Sequence, residues 1–257
     1  MSIAEKLQTI AENEQKVYAA GESSGYAKGK TEGKTEGAKA EYDAFWDSFQ
    51  AGGKRENYTR AFSGTGWTLQ ILKKIKYPVT FRAEASTYEK LCVDMFSYLN
   101  WGGEAPIDMI SILSNFDFTN ITNASNLFSN AYVKNVTVKL PNATSISGIF
   151  NSADTGGRHA DNINIYISKK CTSFTNAFNY MTNLKNINFI SGSVISKSIS
   201  FAQSPLLTTV SVDSIIRALM TITDGVARTV TFHANVKANL TDAQKAAITT
   251  TKGWTLA

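Results

Sequence analysis

The segment Asn123-Ala-Ser-Asn-Leu-Phe-Ser-Asn-Ala-Tyr-Val-Lys-Asn-Val-Thr-Val138 decides how this chain is read. It opens on polar, Asn/Ser/Thr-rich chain, closes a turn on Phe128 and ends in an alternating apolar run, Val136-Thr137-Val138. The same order returns three times. Asn142–Tyr166 carries Phe150 and Ile163-Asn164-Ile165, Cys171–Phe189 carries Phe178 and Ile187-Asn188-Phe189, and Val194–Val212 carries Phe201 and Val210-Ser211-Val212. The four phenylalanines lie 22, 28 and 23 residues apart, and the long interval holds a turn-rich insert, Asp154–Asp161. Self-similarity at this period predicts a solenoid in which each unit supplies one short strand. The two apolar side chains of such a strand point the same way. Val136/Val138, Ile163/Ile165, Ile187/Phe189 and Val210/Val212 are therefore expected to stack as two inward columns, with the turn phenylalanines closing the core from the opposite wall. Leu127, Ile149, Ala177 and Ser200 are expected beside those phenylalanines at that wall of the core.

The polar strand positions point outward and form the candidate ligand-binding face. One column is Asn135, Asn162, Asn186 and Thr209; the next is Thr137, Asn164, Asn188 and Ser211, with Lys139 and Tyr166 at the edge. A surface of amides and hydroxyls suits glycan or protein recognition through many weak hydrogen bonds, and a merely solvated sheet face is the other reading. Asparagine also bonds to nearby backbone and tolerates left-handed conformations, so its abundance here has a structural reading at the corners of a coil.

At these residues the chain resembles a known family. Ile121-Thr-Asn-Ala-Ser-Asn-Leu-Phe-Ser-Asn-Ala131, followed by a short strand, resembles BspA-like leucine-rich repeats. The ending, Thr241-Asp-Ala-Gln-Lys245 through Thr251-Lys-Gly-Trp-Thr-Leu-Ala257, is similar to the C-terminal cap of such proteins in gut bacteria and their phages. The opening, Met1–Gly21 with Glu41–Gln50, resembles phage and prophage tail-associated versions. The resemblance implies a non-enzymatic structural or receptor-binding tail protein, with no catalytic residue, metal or cofactor to carry over. Its expected partners are other tail or baseplate proteins and a host cell-surface glycan or protein. Its expected location is the virion tail, after synthesis in the bacterial host cytoplasm without a signal peptide. A BspA-like bacterial surface adhesin is the alternative, and a glycan-degrading solenoid enzyme a third.

From the N-terminus, Ser2 and Glu5 make a capping box for a helix whose Ile3, Leu7, Ile10 and Val17 form one narrow seam. Such a seam is too short to stand alone in water, so it predicts a homo-oligomer, a trimer being favoured. Glycines then recur every four residues, at Gly21, Gly25, Gly29, Gly33 and Gly37. They cost a helix about 1 kcal/mol each, yet their period would place them on one face; a helical stalk and a flexible linker both remain open. Tyr42, Phe45, Trp46 and Phe49 mark an amphipathic helix ended by Gly52-Gly53. The expected fold class is α+β: a coiled-coil-like helical stalk (1–40), a small aromatic adaptor (41–76), a leucine-rich-repeat solenoid of short strands (77–212) and an α/β cap (213–257). Phe96 and Ile107–Leu113 are read as irregular first repeats. In the cap, a helix beginning at Asp213, a strand at Thr229–Phe232, a helix capped by Thr241 and a last strand near Trp254–Leu256 are expected.

The net charge of +5 is uneven, with seven Lys/Arg against three Asp/Glu between residues 111 and 212. These cations are scattered and lack interleaved aromatics, so nucleic acid is not expected as a partner. No run approaches the length of a membrane span. Cys92 and Cys171 are too few for a disulfide framework and wrongly spaced for a metal; they read as small buried apolar residues. His159 and His233 have no link in sequence. Asp154 and Asp161, flanking Gly156-Gly157, are the one place where a calcium loop or an acid pair is conceivable.

Overall fold

The computed structural model describes residues 79–80, 92–100, 105–152 and 160–257. The stalk, the adaptor, the seam residues Ile3, Leu7, Ile10 and Val17, and Asp154 and His159 of the insert lie outside them. In chain order the elements are β1 (Val79–Thr80), α1 (Ile110–Leu113), β2 (Phe116–Asp117), β3 (Asn135–Leu140), β4 (Asn162–Ile167), β5 (Asn186–Phe189) and β6 (Ile199–Phe201). They are followed by α2 (Thr209–Ala218), β7 (Thr229–Phe232), α3 (Ala234–Ala238), α4 (Asp242–Ala246), a π-helical turn (Ala247–Thr251) and β8 (Thr255–Leu256). All strand pairings are parallel, in the orders β1-β2, β3-β4-β5 and β6-β7-β8.

The repeat pattern maps onto stacked segments. β3, β4 and β5 pair in register, Val136 beside Ile163 and Ile187, and Val138 beside Ile165 and Phe189. All six of these side chains are buried, as the alternation predicts. The turn phenylalanines Phe96, Phe128, Phe150 and Phe178 form a continuous column with Phe201, expected in a turn but placed on β6, and with Phe232 on β7. Ring centroids are 5.4 Å apart for Phe96–Phe128, 5.3 Å for Phe128–Phe150, 5.9 Å for Phe150–Phe178, 5.0 Å for Phe178–Phe201 and 6.0 Å for Phe201–Phe232. Parallel rings at this spacing are offset stacks, each worth about 0.5–1.5 kcal/mol beyond the area they bury. Phe96 and Phe232 extend the column beyond the four repeats visible in the sequence.

Between strands, the turn layer uses its backbone donors alternately. The amides of Asn126, Phe128 and Asn130 donate to Ser147, Ile149 and Asn151 of the next turn, while those of Leu127, Ser129 and Ala131 close bonds three residues back. That alternation needs left-handed residues at fixed places. Asn126, Asn130 and Asn176 have φ of 54–55°, and Gly148 has φ of 61° at the position equivalent to Asn126. Asparagine tolerates this region through local side-chain bonding, and glycine enters it freely. The structural reading of these corner asparagines is therefore the correct one.

The fourth repeat departs from expectation. Val210-Ser211-Val212 is not a strand: it lies in α2, whose N-cap is Thr208 rather than Asp213, with the Thr208 side chain accepting from the Ser211 amide. The short alternation loses to a longer helical pattern, because Val212, Ile215, Ile216 and Leu219 all face the core while Val210 is 77% exposed. The expected boundary between 212 and 213 thus falls inside a helix. In place of a fourth strand, α2 presents one face of hydroxyls and a guanidinium to the edge of β5. Ser211 Oγ accepts from the Ile187 amide (3.0 Å), Ser214 Oγ accepts from the Phe189 amide (2.8 Å), and Arg217 Nη2 donates to the Phe189 carbonyl (3.1 Å). Residues three apart on a helix meet backbone groups two apart on a strand. Ser200 also differs from expectation, being exposed on β6.

The C-terminal segment closes the other end of the core. Arg228, 4% exposed, forks onto Asp224 (2.8 and 2.6 Å) and donates from Nε to the Ser196 carbonyl at 2.7 Å. Thr241 and Gln244 complete a capping box on α4, and the buried Trp254 ring donates from Nε1 to the Met220 carbonyl at 2.8 Å. Both cysteines are buried and unpaired with each other; burial pushes the Cys171 thiol up to about 11 and Cys92 higher still.

Candidate recognition groove

The outward columns of β3–β5 are amide ladders. In-register parallel pairing sets asparagines one strand spacing apart, where the NH2 of one amide meets the oxygen of the next. In the first column Asn135 Nδ2 donates to Asp108 (2.6 Å), Asn162 Nδ2 to Asn135 (2.7 Å), Asn186 Nδ2 to Asn162 (2.7 Å) and Thr208 Oγ1 to Asn186 (3.1 Å). In the second, Asn164 Nδ2 donates to Thr137 Oγ1 (3.3 Å) and Asn188 Nδ2 to Asn164 (3.1 Å). Ser214 and Arg217 of α2 complete it by donating to Asn188 Oδ1, each at 3.3 Å. The ladder bonds satisfy much of the hydrogen-bonding capacity of these amides. Thr209 and Ser211 do not extend the columns: both belong to α2, and Ser211 is 1% exposed with its hydroxyl turned onto β5.

Asp108 anchors the first ladder to the segment before α1. Its carboxylate accepts from the Ile110 amide at 3.0 Å and from Asn135, and these two bonds hold it below the usual carboxylate range. The anchor places α1 and β2 alongside the outer edge of β3 but not against it. Between them lies a groove of about 650 Å³, within the range of small-ligand and short-peptide sites. Its apolar wall is Ile110, Leu113, Phe116 and Ile190; its polar groups are Thr137, Lys139, Tyr166 and Asp117. Ile110 is 49% exposed.

Three of the expected site residues, Thr137, Lys139 and Tyr166, meet at this groove, and Lys139 lies beside Tyr166 across the β3–β4 pair. Asn135, Asn162, Asn164, Asn186 and Asn188 serve the ladders. Ile110, Asp117 and Ile190 went unrecognised in the sequence, since nothing local to them signals a cavity made by a neighbouring element. His233 caps α3 by accepting from the Asn235 amide. Among the described residues no three His, Cys, Asp or Glu side chains gather as a metal site, and no helix is long and apolar enough to cross a membrane.

Comparison of the chain with protein-family models, with curated proteins and with solved structures gives no match.

Proposed function

We propose that this protein is a non-enzymatic recognition component of a phage or prophage tail. In this reading residues 77–212 are a BspA-like repeat solenoid, closed by the C-terminal cap and carried on an oligomeric N-terminal helix. The observation that carries the recognition role is the groove at Thr137, Lys139 and Tyr166. It offers an ammonium, a phenol, a carboxylate and a hydroxyl around an apolar wall, on a sheet stiffened by two amide ladders. That combination suits a host-surface glycan or protein, because a rigid surface loses little conformational entropy on binding. Attachment of the purified full chain to candidate host cells tests it. The double variant Lys139→Glu/Tyr166→Ala is expected to lose most of that attachment while melting as the parent does; unchanged attachment contradicts a role for the groove. Solution mass tests the oligomer: the full chain is expected as a trimer, and a chain lacking residues 1–40 as a monomer.

A further inference from the structure

We infer that the groove takes an extended peptide strand, added in parallel to the outer edge of β3 beside Thr137 and Lys139, with a carboxylate of the peptide beside Lys139. This deepens the recognition reading above and rests on it. The phase of β3 is set by two bonds: the Asn135 carbonyl accepts from the Met109 amide (3.0 Å) on the outer side, and the Lys134 carbonyl accepts from the Asn162 amide (3.1 Å) on the β4 side. Alternate residues of a strand in a parallel ladder address opposite neighbours. Val136 and Val138 therefore bond to β4, and Thr137 and Lys139 turn their amides and carbonyls away from it, into the groove. No described residue pairs with those four groups. The next contact across the gap is at its far end, where Asn142 Nδ2 donates to the Thr119 carbonyl at 2.7 Å.

The two edges of this sheet are treated differently. Ser211, Ser214 and Arg217 occupy the backbone groups of β5, a device that prevents further pairing. Among the described residues nothing covers the β3 edge in this way, and it opens onto the groove. Donors and acceptors that alternate about 6.6 Å apart along an edge are complemented by another backbone, which is how β-augmentation sites capture peptides. The exposed ammonium of Lys139 supplies the charge preference, and Ile110, Leu113 and Phe116 supply an apolar wall for alternate side chains.

The fold itself supplies the probe. A strand lying before β3 would meet it as β3 meets β4, and Met109 already holds the place beside Asn135, so the probe is an acetylated, amidated pentapeptide, Val-Thr-Val-Glu-Leu: the Val136–Leu140 sequence with glutamate replacing lysine. Hydrogen exchange and amide NMR on the full chain provide the readout. The Thr137 and Lys139 amides are expected to exchange freely alone and at least about tenfold more slowly at saturating peptide, as for other newly paired strand amides. N-methylation at the second valine or at the leucine, whose amides face the Thr137 and Lys139 carbonyls, is expected to abolish binding; N-methylation at the threonine and glutamate is not. The glutamate peptide is expected to bind about twofold to fivefold more tightly than its lysine counterpart, the range of a cross-strand ion pair, with the order reversed in Lys139→Glu. Protection of both amides in the free protein overturns the inference, as does binding indifferent to N-methylation. Cell attachment measured in parallel separates the two readings. Attachment with unprotected amides removes strand addition alone, and protection without attachment removes the host-recognition role alone.

Discussion

At the scale of single residues, two positions carry consequences that a measurement can read. Gly148 holds φ of 61° where neighbouring turns use asparagine, and a Cβ there would meet Asn126 Oδ1 at 2.2 Å. Gly148→Ala adds left-handed strain of about 1–2 kcal/mol and forces the Asn126 side chain aside; Gly148→Asn is expected to cost less, because asparagine tolerates this region. Urea denaturation of the two variants decides the order, and equal midpoints would mean that the turn relaxes freely. Asp224 is held well below the usual carboxylate range, chiefly by its hydrogen bonds from the Arg228 guanidinium. A depressed carboxylate contributes stability that is fully present above its unfolded pKa of about 4 and is lost as pH falls below it. Asp224→Asn is accordingly expected to lower the melting temperature at neutral pH and to flatten its fall below about pH 4. Parallel melting curves of variant and parent across that range would contradict the assignment.

At the scale of elements, α2 is the informative case. It stands where a fourth strand was expected, and its serines satisfy the edge that a strand would have paired. Ser211→Ala together with Ser214→Ala leaves the buried amides of Ile187 and Phe189 without partners, a loss of about 1–3 kcal/mol for each. The expected phenotype has two parts: a lower melting temperature, and concentration-dependent association through the reopened edge of β5. Light scattering alongside calorimetry separates them. Loss of stability without association would show that the bulk of α2, rather than its hydroxyls, blocks the edge.

At the scale of the whole molecule, the core is a column of phenylalanines with β3–β5 on one side and the turn layer on the other, ended by Trp254 and the C-terminal helices. Trp254 is 2% exposed and hydrogen-bonded to Met220. Trp254→Ala is expected to cost about 3–5 kcal/mol, the usual range for emptying a buried aromatic site. In a stack whose layers touch only their neighbours, the loss falls first on amides near Val230 and Phe232 and only later on those of β3. Hydrogen exchange shows this as graded protection; uniform loss would mean that the described residues unfold as one unit.

What was legible in the sequence is what depends on neighbours close along the chain. Period-two alternation placed β3, β4 and β5 and their inward pairs, the Phe spacing placed the column from Phe128 to Phe201, and Thr241 marked the start of α4. The asparagine columns were located and read as a candidate binding face or a solvated one, and their ladders were missed, because an amide that binds a ligand and an amide that binds the next rung have the same sequence. Only the register of strands 24–27 residues apart assigns them to the ladders. Tertiary structure also decided the fate of Val210–Val212, where four buried apolar positions at helical spacing outweighed two at strand spacing. It alone made the groove, since a cavity beside β3 exists because α1 occupies the place of a strand without pairing. Local pattern determined which residues face inward; the partners that chain folding brings from a full repeat away determined what the outward ones do.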